Sequence, residues 1–123
     1  MSRAPRPEGL DRESTLRRRT DFVHCYERGR RISGRFATLH VAANPQGHLR
    51  LGVTASRKVG GSVVRHRLKR WIRETYRRSP RRDDFPAIDL VVHLRAAAAT
   101  ATYGELRSEL ERQWKPLLTR SRG

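Results

Sequence analysis

The densest chemistry in the chain lies between Ser56 and Arg78. Ser56-Arg57-Lys58-Val59-Gly60-Gly61 leads into Val64-Arg65-His66-Arg67-Leu68-Lys69-Arg70, and then Arg73-Glu74. Arginine is planar and forked, so it binds phosphate bidentately and stacks on bases, whereas lysine is a mobile point charge. Wound as a helix, Val64, Leu68, Trp71, Ile72 and Thr75 form one apolar stripe. His66, Lys69, Arg70, Arg73 and Arg77 fall on the opposite face, and Arg65 and Arg67 flank the stripe. A charge run is often just a solvated face. Here only Glu74 opposes it, and the like-charge pairs Lys69/Arg73 and Arg73/Arg77 (with His66/Arg70 when the imidazole is protonated) weaken the helix. A cost of that kind points to a polyanionic partner that removes it, and for an arginine-rich face that partner is a nucleic acid.

A second constellation is Phe22 and Tyr26, one helical turn apart, beside a strand whose polar positions carry Thr38 and His40. Aromatic rings next to basic residues form stacking platforms for single-stranded bases. The same two rings would serve equally well as a hydrophobic pair sealing a small core, and both readings stand. Side-chain catalysis finds less support. Lys58-Val59-Gly60-Gly61-Ser62 lacks the order of a phosphate-binding loop, and there is no His-Glu-x-x-His and no carboxylate cluster. Asp83-Asp84 reads as solvated loop. The histidines His24, His40, His48, His66 and His93 are scattered; only His40 and His93, on different strands, could form a nuclease acid–base pair. Cys25 stands alone, which excludes an internal disulfide and any cysteine-based zinc site. No catalytic side chain and no metal ligand is therefore expected.

The chain of 123 residues is the length of one domain. It carries 28 Lys+Arg against 12 Asp+Glu, a net charge of +16, and only Lys58, Lys69 and Lys115 are lysines. So large an excess opposes compaction and again favours a polyanion. No apolar run approaches a bilayer span, and the N-terminus has no apolar segment of the secretory type. A cytoplasmic chain with no membrane partner and no small-molecule substrate is expected. Apolar residues make up 36%, few for a globular domain, but they cluster with clear periods, so a small core is expected.

Those periods define the elements that must hold the two constellations. Residues 1–15 read as a disordered basic arm, 16–118 as the single domain and 119–123 as a disordered tail. A helix is expected from Asp21 to Arg28, capped by Thr20 and stopped by Gly29. Strands follow at Phe36–Ala43, Leu49–Arg57 and Ile88–Arg95, and the turn cluster Asn44-Pro45-Gln46-Gly47 makes the first two a hairpin. The basic helix starts at Val63, capped by Ser62, and stops before Ser79-Pro80. A last helix begins near Tyr103 behind a Thr102/Glu105 capping box, buries Leu106, Leu110, Trp114 and Leu117, and is ended or kinked by Pro116. The fold class is α+β, one sheet with helices packed against it.

At these residues the chain resembles the protein subunit of bacterial ribonuclease P, from about Leu16 to Trp114. Arg50–Arg78 is similar to that family's strand end, short loop and basic helix: Gly52-Val53-Thr54-Ala55-Ser56-Arg57-Lys58, then Arg65-His66-Arg67-Leu68-Lys69-Arg70, then Arg73-Glu74. His66 stands where the family has asparagine, and an imidazole does not reproduce the amide's donor-and-acceptor geometry. The resemblance implies a two-layer α/β sandwich of about αβββαβα order, with a small mixed sheet and a left-handed crossover. It implies a ribonucleoprotein endonuclease that removes the 5′ leader from precursor tRNA, in which an RNA subunit is catalytic and holds most of the Mg²⁺. The protein would bind that RNA through Arg57, Lys58, Arg65, His66, Arg67, Lys69, Arg70 and Arg73. It would receive the leader in a cleft at Phe22, Tyr26, Thr38 and His40. The alternatives are a structural, ribosomal-type RNA-binding protein and a protein-only nuclease working through histidines.

Overall fold

The computed structural model describes residues 12–118. Residues 1–11 of the expected arm (1–15) and the expected tail over 119–123 lie outside the described residues. The last residues of that expected arm, 12–15, are described. Arg12–Ser14 form a 3₁₀ turn, Thr15 bridges to Leu51, and the Leu16 N–H donates to the Leu51 carbonyl at 2.9 Å.

Three helices and four strands follow: α1 (Arg19–Arg28), β1 (Arg30–Ser33), β2 (Ala37–Ala43), β3 (Arg50–Ala55), α2 (Ser62–Arg78), β4 (Ile88–Leu94) and α3 (Tyr103–Trp114). The order αβββαβα is the one the resemblance implies. Periodicity revealed three of the strands but not β1, whose four residues Arg-Arg-Ile-Ser include one apolar side chain. It forms an edge, and its arginines suit that place by blocking further strand addition.

The sheet order β1-β2-β4-β3 corrects the expected hairpin. The turn after β2 does form, with Gly47 at φ +86° and the Gln46 N–H bonded to Asn44 Oδ1. It delivers β3 one strand further out, and β4 inserts between them, antiparallel to β2 and parallel to β3. The reason lies in β4. All but one of its residues are buried, Val91 on one face and Leu90, Val92 and Leu94 on the other. A strand buried on both faces belongs in the centre of a covered sheet, whereas β3, with Arg50 and Thr54 half-buried on one face, tolerates the edge.

The two sheet faces are covered unequally. Ala37, Leu39, Leu51, Leu90, Val92 and Leu94 meet Leu68, Ile72 and Tyr76 of α2 and Leu106, Leu110 and Trp114 of α3 in the main core. On the other face α1 lies over β2 and β4 and closes a small core of Leu16, Cys25, Ala42 and Val91, with Phe22 against it. Helix starts precede expectation by two residues in α1 and one in α2. Arg18, not Thr20, holds the N-cap position of α1 and makes no side-chain cap. Gly61, not Ser62, precedes α2. Packing of Leu16 and Phe22, rather than a cap, sets where α1 begins. Gly60, at φ +145°, supplies the backbone conformation that turns the chain into α2. The α3 capping box forms as expected, with Glu105 N–H donating to Thr102 Oγ1 at 3.1 Å and Thr102 N–H to Glu105 Oε1 at 2.9 Å. Pro116 sits in a 3₁₀ turn after the helix ends at Trp114.

Candidate nucleic-acid interface

The stripe of α2 docks as its spacing requires: Leu68, Ile72, Thr75 and Tyr76 are buried, Val64 and Trp71 half-buried. That orientation fixes the cations. His66 and Arg70 are fully exposed at the crest. Lys69 and Arg73, expected on the open face, stand half-buried along one flank in a row with Arg65, at i, i+4 and i+8. Burial, and behind it the charges of Arg73 and Arg65, hold the Lys69 ammonium below its ordinary range. Burial also lowers Arg73. The like-charge cost read from the spacing is thus present in the fold. On the other flank Arg67 lies over the Trp71 ring, 5.2 Å from its centroid.

These charges are not neutralised internally. Glu74, the one acid on the helix, accepts from Arg77 and Arg78 near the C-terminus, each at 2.8 Å. Among the described residues no carboxylate forms an ion pair with Arg65, Arg67, Lys69, Arg70 or Arg73. Arg65 Nε and Arg67 Nε have no acceptor. The first turn of α2 holds no acid and its cap position has no side chain, so the positive end of the helix dipole is open too. Arg57 and Lys58, exposed in the 3₁₀ turn before α2, extend this surface.

The second constellation assembles where α1 leaves the sheet uncovered. Tyr26, 40% exposed, stands edge-on to His40 with ring centroids 4.7 Å apart. Its hydroxyl bonds to Thr54 Oγ1 at 2.9 Å, and Thr54 Oγ1 bonds in turn to His93 Nδ1 at 2.8 Å. Phe22 takes a different place. A Cβ on Gly52 would sit 2.6 Å from Phe22 Cε1, so the ring lies directly on the β3 backbone, half-buried beside the small core. Thr38 is opposite His93 in the sheet and only 5% exposed, so it forms floor rather than contact surface. Thr54 and His93 were not assigned to this site from sequence. Both sit at polar positions of their strands, but only the β3–β4 register shows that they adjoin.

The register also makes His40 and His93 diagonal neighbours, Thr38 pairing with His93 and His40 with Val91. Burial lowers the pKa of both, and the charges of Arg31 and His93 lower His40 further. Members of an acid–base pair are often marked by pKa values pushed apart; these two are pushed the same way, down, and chiefly by burial. Cys25 is buried, its Sγ–H directed at the His40 and Asp89 carbonyls at 3.4 and 3.3 Å. Burial, then the Asp89 charge, push its thiol up to about 11, which leaves it unreactive. Among the described residues no three of His, Cys, Asp and Glu converge to hold a metal ion, and no helix is long and apolar enough to cross a membrane.

This arrangement has known counterparts. The family model described as Ribonuclease P matches residues 10–118. The ribonuclease P protein component of Clostridium botulinum (strain Loch Maree / Type A3) is 37% identical over 99 residues, 80% of this chain and 89% of that one. The Desulfovibrio desulfuricans component is 40% identical over 116 residues, covering 90% and 85%. Among solved structures, the Staphylococcus aureus RNase P protein superimposes with a TM-score of 0.79 at 27% identity, over 86% of this chain and 98% of that one. The Thermotoga maritima RNase P protein gives 0.75 at 27%, over 85% and 98%.

Proposed function

The chain belongs to the ribonuclease P protein family, and from that premise we propose that it is the RNA-docking and substrate-guiding subunit of a ribonucleoprotein that removes the 5′ leader from precursor tRNA. The observation that carries the reading is α2. Among the described residues five cations stand there without a carboxylate ion pair, and burial, with the charges of Arg73 and Arg65 behind it, holds the Lys69 ammonium down. An RNA phosphate backbone relieves that repulsion and gains bidentate contacts from the arginines. Arg57, Lys58, Arg65, His66, Arg67, Lys69, Arg70 and Arg73 are assigned to the RNA subunit.

The leader is assigned to the uncovered sheet face. Tyr26 offers an exposed ring held in place by Thr54, with His40 beside it and Thr38 beneath. Phe22 walls the cleft with its free edge. The chemistry of phosphodiester cleavage is assigned to the RNA, because the buried thiol is no activated nucleophile and burial lowers His40 and His93 alike instead of splitting them into an acid and a base. Among the described residues no three of His, Cys, Asp and Glu converge to hold a metal ion, and the two buried carboxylates are engaged, Asp89 by Arg50 and Glu109 by three backbone N–H groups. We place the metal with the RNA.

Salt-dependent binding of ribonuclease P RNA tests the assignment. Combined Arg65→Ala, Arg67→Ala and Arg70→Ala substitution should weaken binding and lower the salt slope by about 0.7–0.9 per lost phosphate contact. The melting temperature should hold, because all three side chains lie off the buried stripe. Unchanged affinity and slope would remove α2 from the interface.

A further inference from the structure

On the α2–α3 side, across the sheet from the cleft, two arginines flank two aromatic rings in one continuous row. Arg67 lies over Trp71 at 5.2 Å, Trp71 meets Tyr103 edge-on at 5.7 Å and 71°, and Arg107 lies 5.9 Å from the Tyr103 centroid. Arg67/Trp71 and Tyr103/Arg107 are i,i+4 pairs on α2 and α3, and helix packing joins them end to end. Beyond Arg107 opens a groove of about 580 Å³, on whose wall Arg35 lies 5.0 Å over the Phe36 ring, with Arg112 close by. Trp71 and Tyr103 are only half-buried, and Arg107 is exposed.

The cations of this row are unpaired. Among the described residues no carboxylate forms an ion pair with Arg35, Arg67, Arg107 or Arg112. Glu105 and Glu109 line the groove but are engaged, Glu105 in the α3 capping box and Glu109 with the backbone of residues 35–37. An acidic peptide would satisfy the charges and gain little from the rings. Duplex RNA would offer phosphates with its base faces hidden. An unpaired RNA segment uses both, stacking bases on the rings and setting phosphates against the guanidinium groups.

We propose that the row from Arg67 through Trp71 and Tyr103 to Arg107 is a second RNA contact, which takes unpaired nucleotides of the RNA subunit. It rests on α2 being the RNA-docking helix, because Arg67 belongs to both surfaces. The footprint then wraps from α2 onto the N-terminal half of α3.

The test uses the full chain with ribonuclease P RNA. Ultraviolet irradiation of the wild-type complex should crosslink Tyr103 or Trp71 to RNA, a readout that needs no variant. Tyr103→Leu with Arg107→Gln should weaken binding at least about fivefold and lower the salt slope by about 0.7–0.9. Arg70→Ala separates the two claims. If it weakens binding while the double variant does not, and no crosslink forms, the row is not a contact and the α2 assignment stands. If neither variant weakens binding, the α2 assignment fails and takes this one with it. Polyglutamate is the control without bases. If the double variant loses affinity for polyglutamate by the same factor as for RNA, the surface suits an acidic protein and base stacking is overturned.

Discussion

Tyr26 shows what single residues contribute. Its ring is held from two sides, by Thr54 through the hydroxyl and by His40 at the edge, yet it remains 40% exposed. A ring fixed in orientation and open to solvent loses little entropy on stacking, and one base stack is worth about 1–3 kcal/mol. Tyr26→Ala should therefore narrow the gap in holoenzyme affinity between precursor and mature tRNA, leaving mature-tRNA binding unchanged; if both affinities fall together, Tyr26 is only packing. Phe22 and Tyr26 looked equivalent in the sequence. Gly52 separates them, since its bare backbone receives the Phe22 ring while Tyr26 keeps an exposed face, and that depends on a strand brought alongside from thirty residues away. The histidines below give a pH signature. Burial lowers both His40 and His93 in the folded state from the ordinary 6.5, so the unfolded chain binds more protons as pH falls. Their contribution to stability is intact above about pH 6.5 and is lost as pH drops below it towards the folded-state values. Thermal melts from pH 7.5 to 5 should show a decline that His40→Gln with His93→Gln flattens; an equal decline in the variant would place its cause elsewhere.

At the scale of elements, periodicity located α2, α3 and three strands because their apolar residues recur at one spacing. It missed β1, whose four residues carry one apolar side chain, and misjudged the partner of β3, which depends on which strand takes the centre of the sheet. Two buried carboxylates carry information that no local pattern holds. Glu109 of α3 accepts the N–H groups of Arg35, Phe36 and Ala37 at 2.9–3.0 Å and so ties the start of β2 to a helix more than seventy residues later. Asp89 of β4 takes Arg50 of β3 in two bonds of 2.8 Å and Asn44 at the end of β2 in a third. The parallel β3–β4 pairing that carries the chain into α2 is pinned there. Asp89→Ala leaves Arg50 without its buried partner, which costs about 3–5 kcal/mol in comparable pairs. Chemical denaturation should show a loss near the lower end of that range, as Asp21 still faces Arg50 at 3.5 Å. A change below about 1 kcal/mol would mean the pairing is held by the ladder alone.

Over the whole molecule, a net charge of +16 is arranged on a sandwich whose two faces have separate tasks. In the proposed function the α2–α3 side, whose central cations form no ion pair among the described residues, meets an RNA, and the half-covered sheet face offers a ring and polar strand positions to a single strand. The cationic side of α2 was legible in the sequence, since a helical stripe fixes its own opposite face, although Lys69 and Arg73 stand on the flank instead of the crest. The cleft was legible only in outline, because Thr54 and His93 enter through register. The central claim is that this chain assists an RNA catalyst and cleaves nothing by itself. Its most direct test is cleavage of a precursor tRNA at a Mg²⁺ concentration too low for ribonuclease P RNA alone. Wild-type protein with the RNA should release the 5′ leader, protein alone should release none, and the folded Arg65/Arg67/Arg70→Ala variant should fail to restore the reaction. Leader release by the protein without RNA, or full rescue by that variant, would contradict the account.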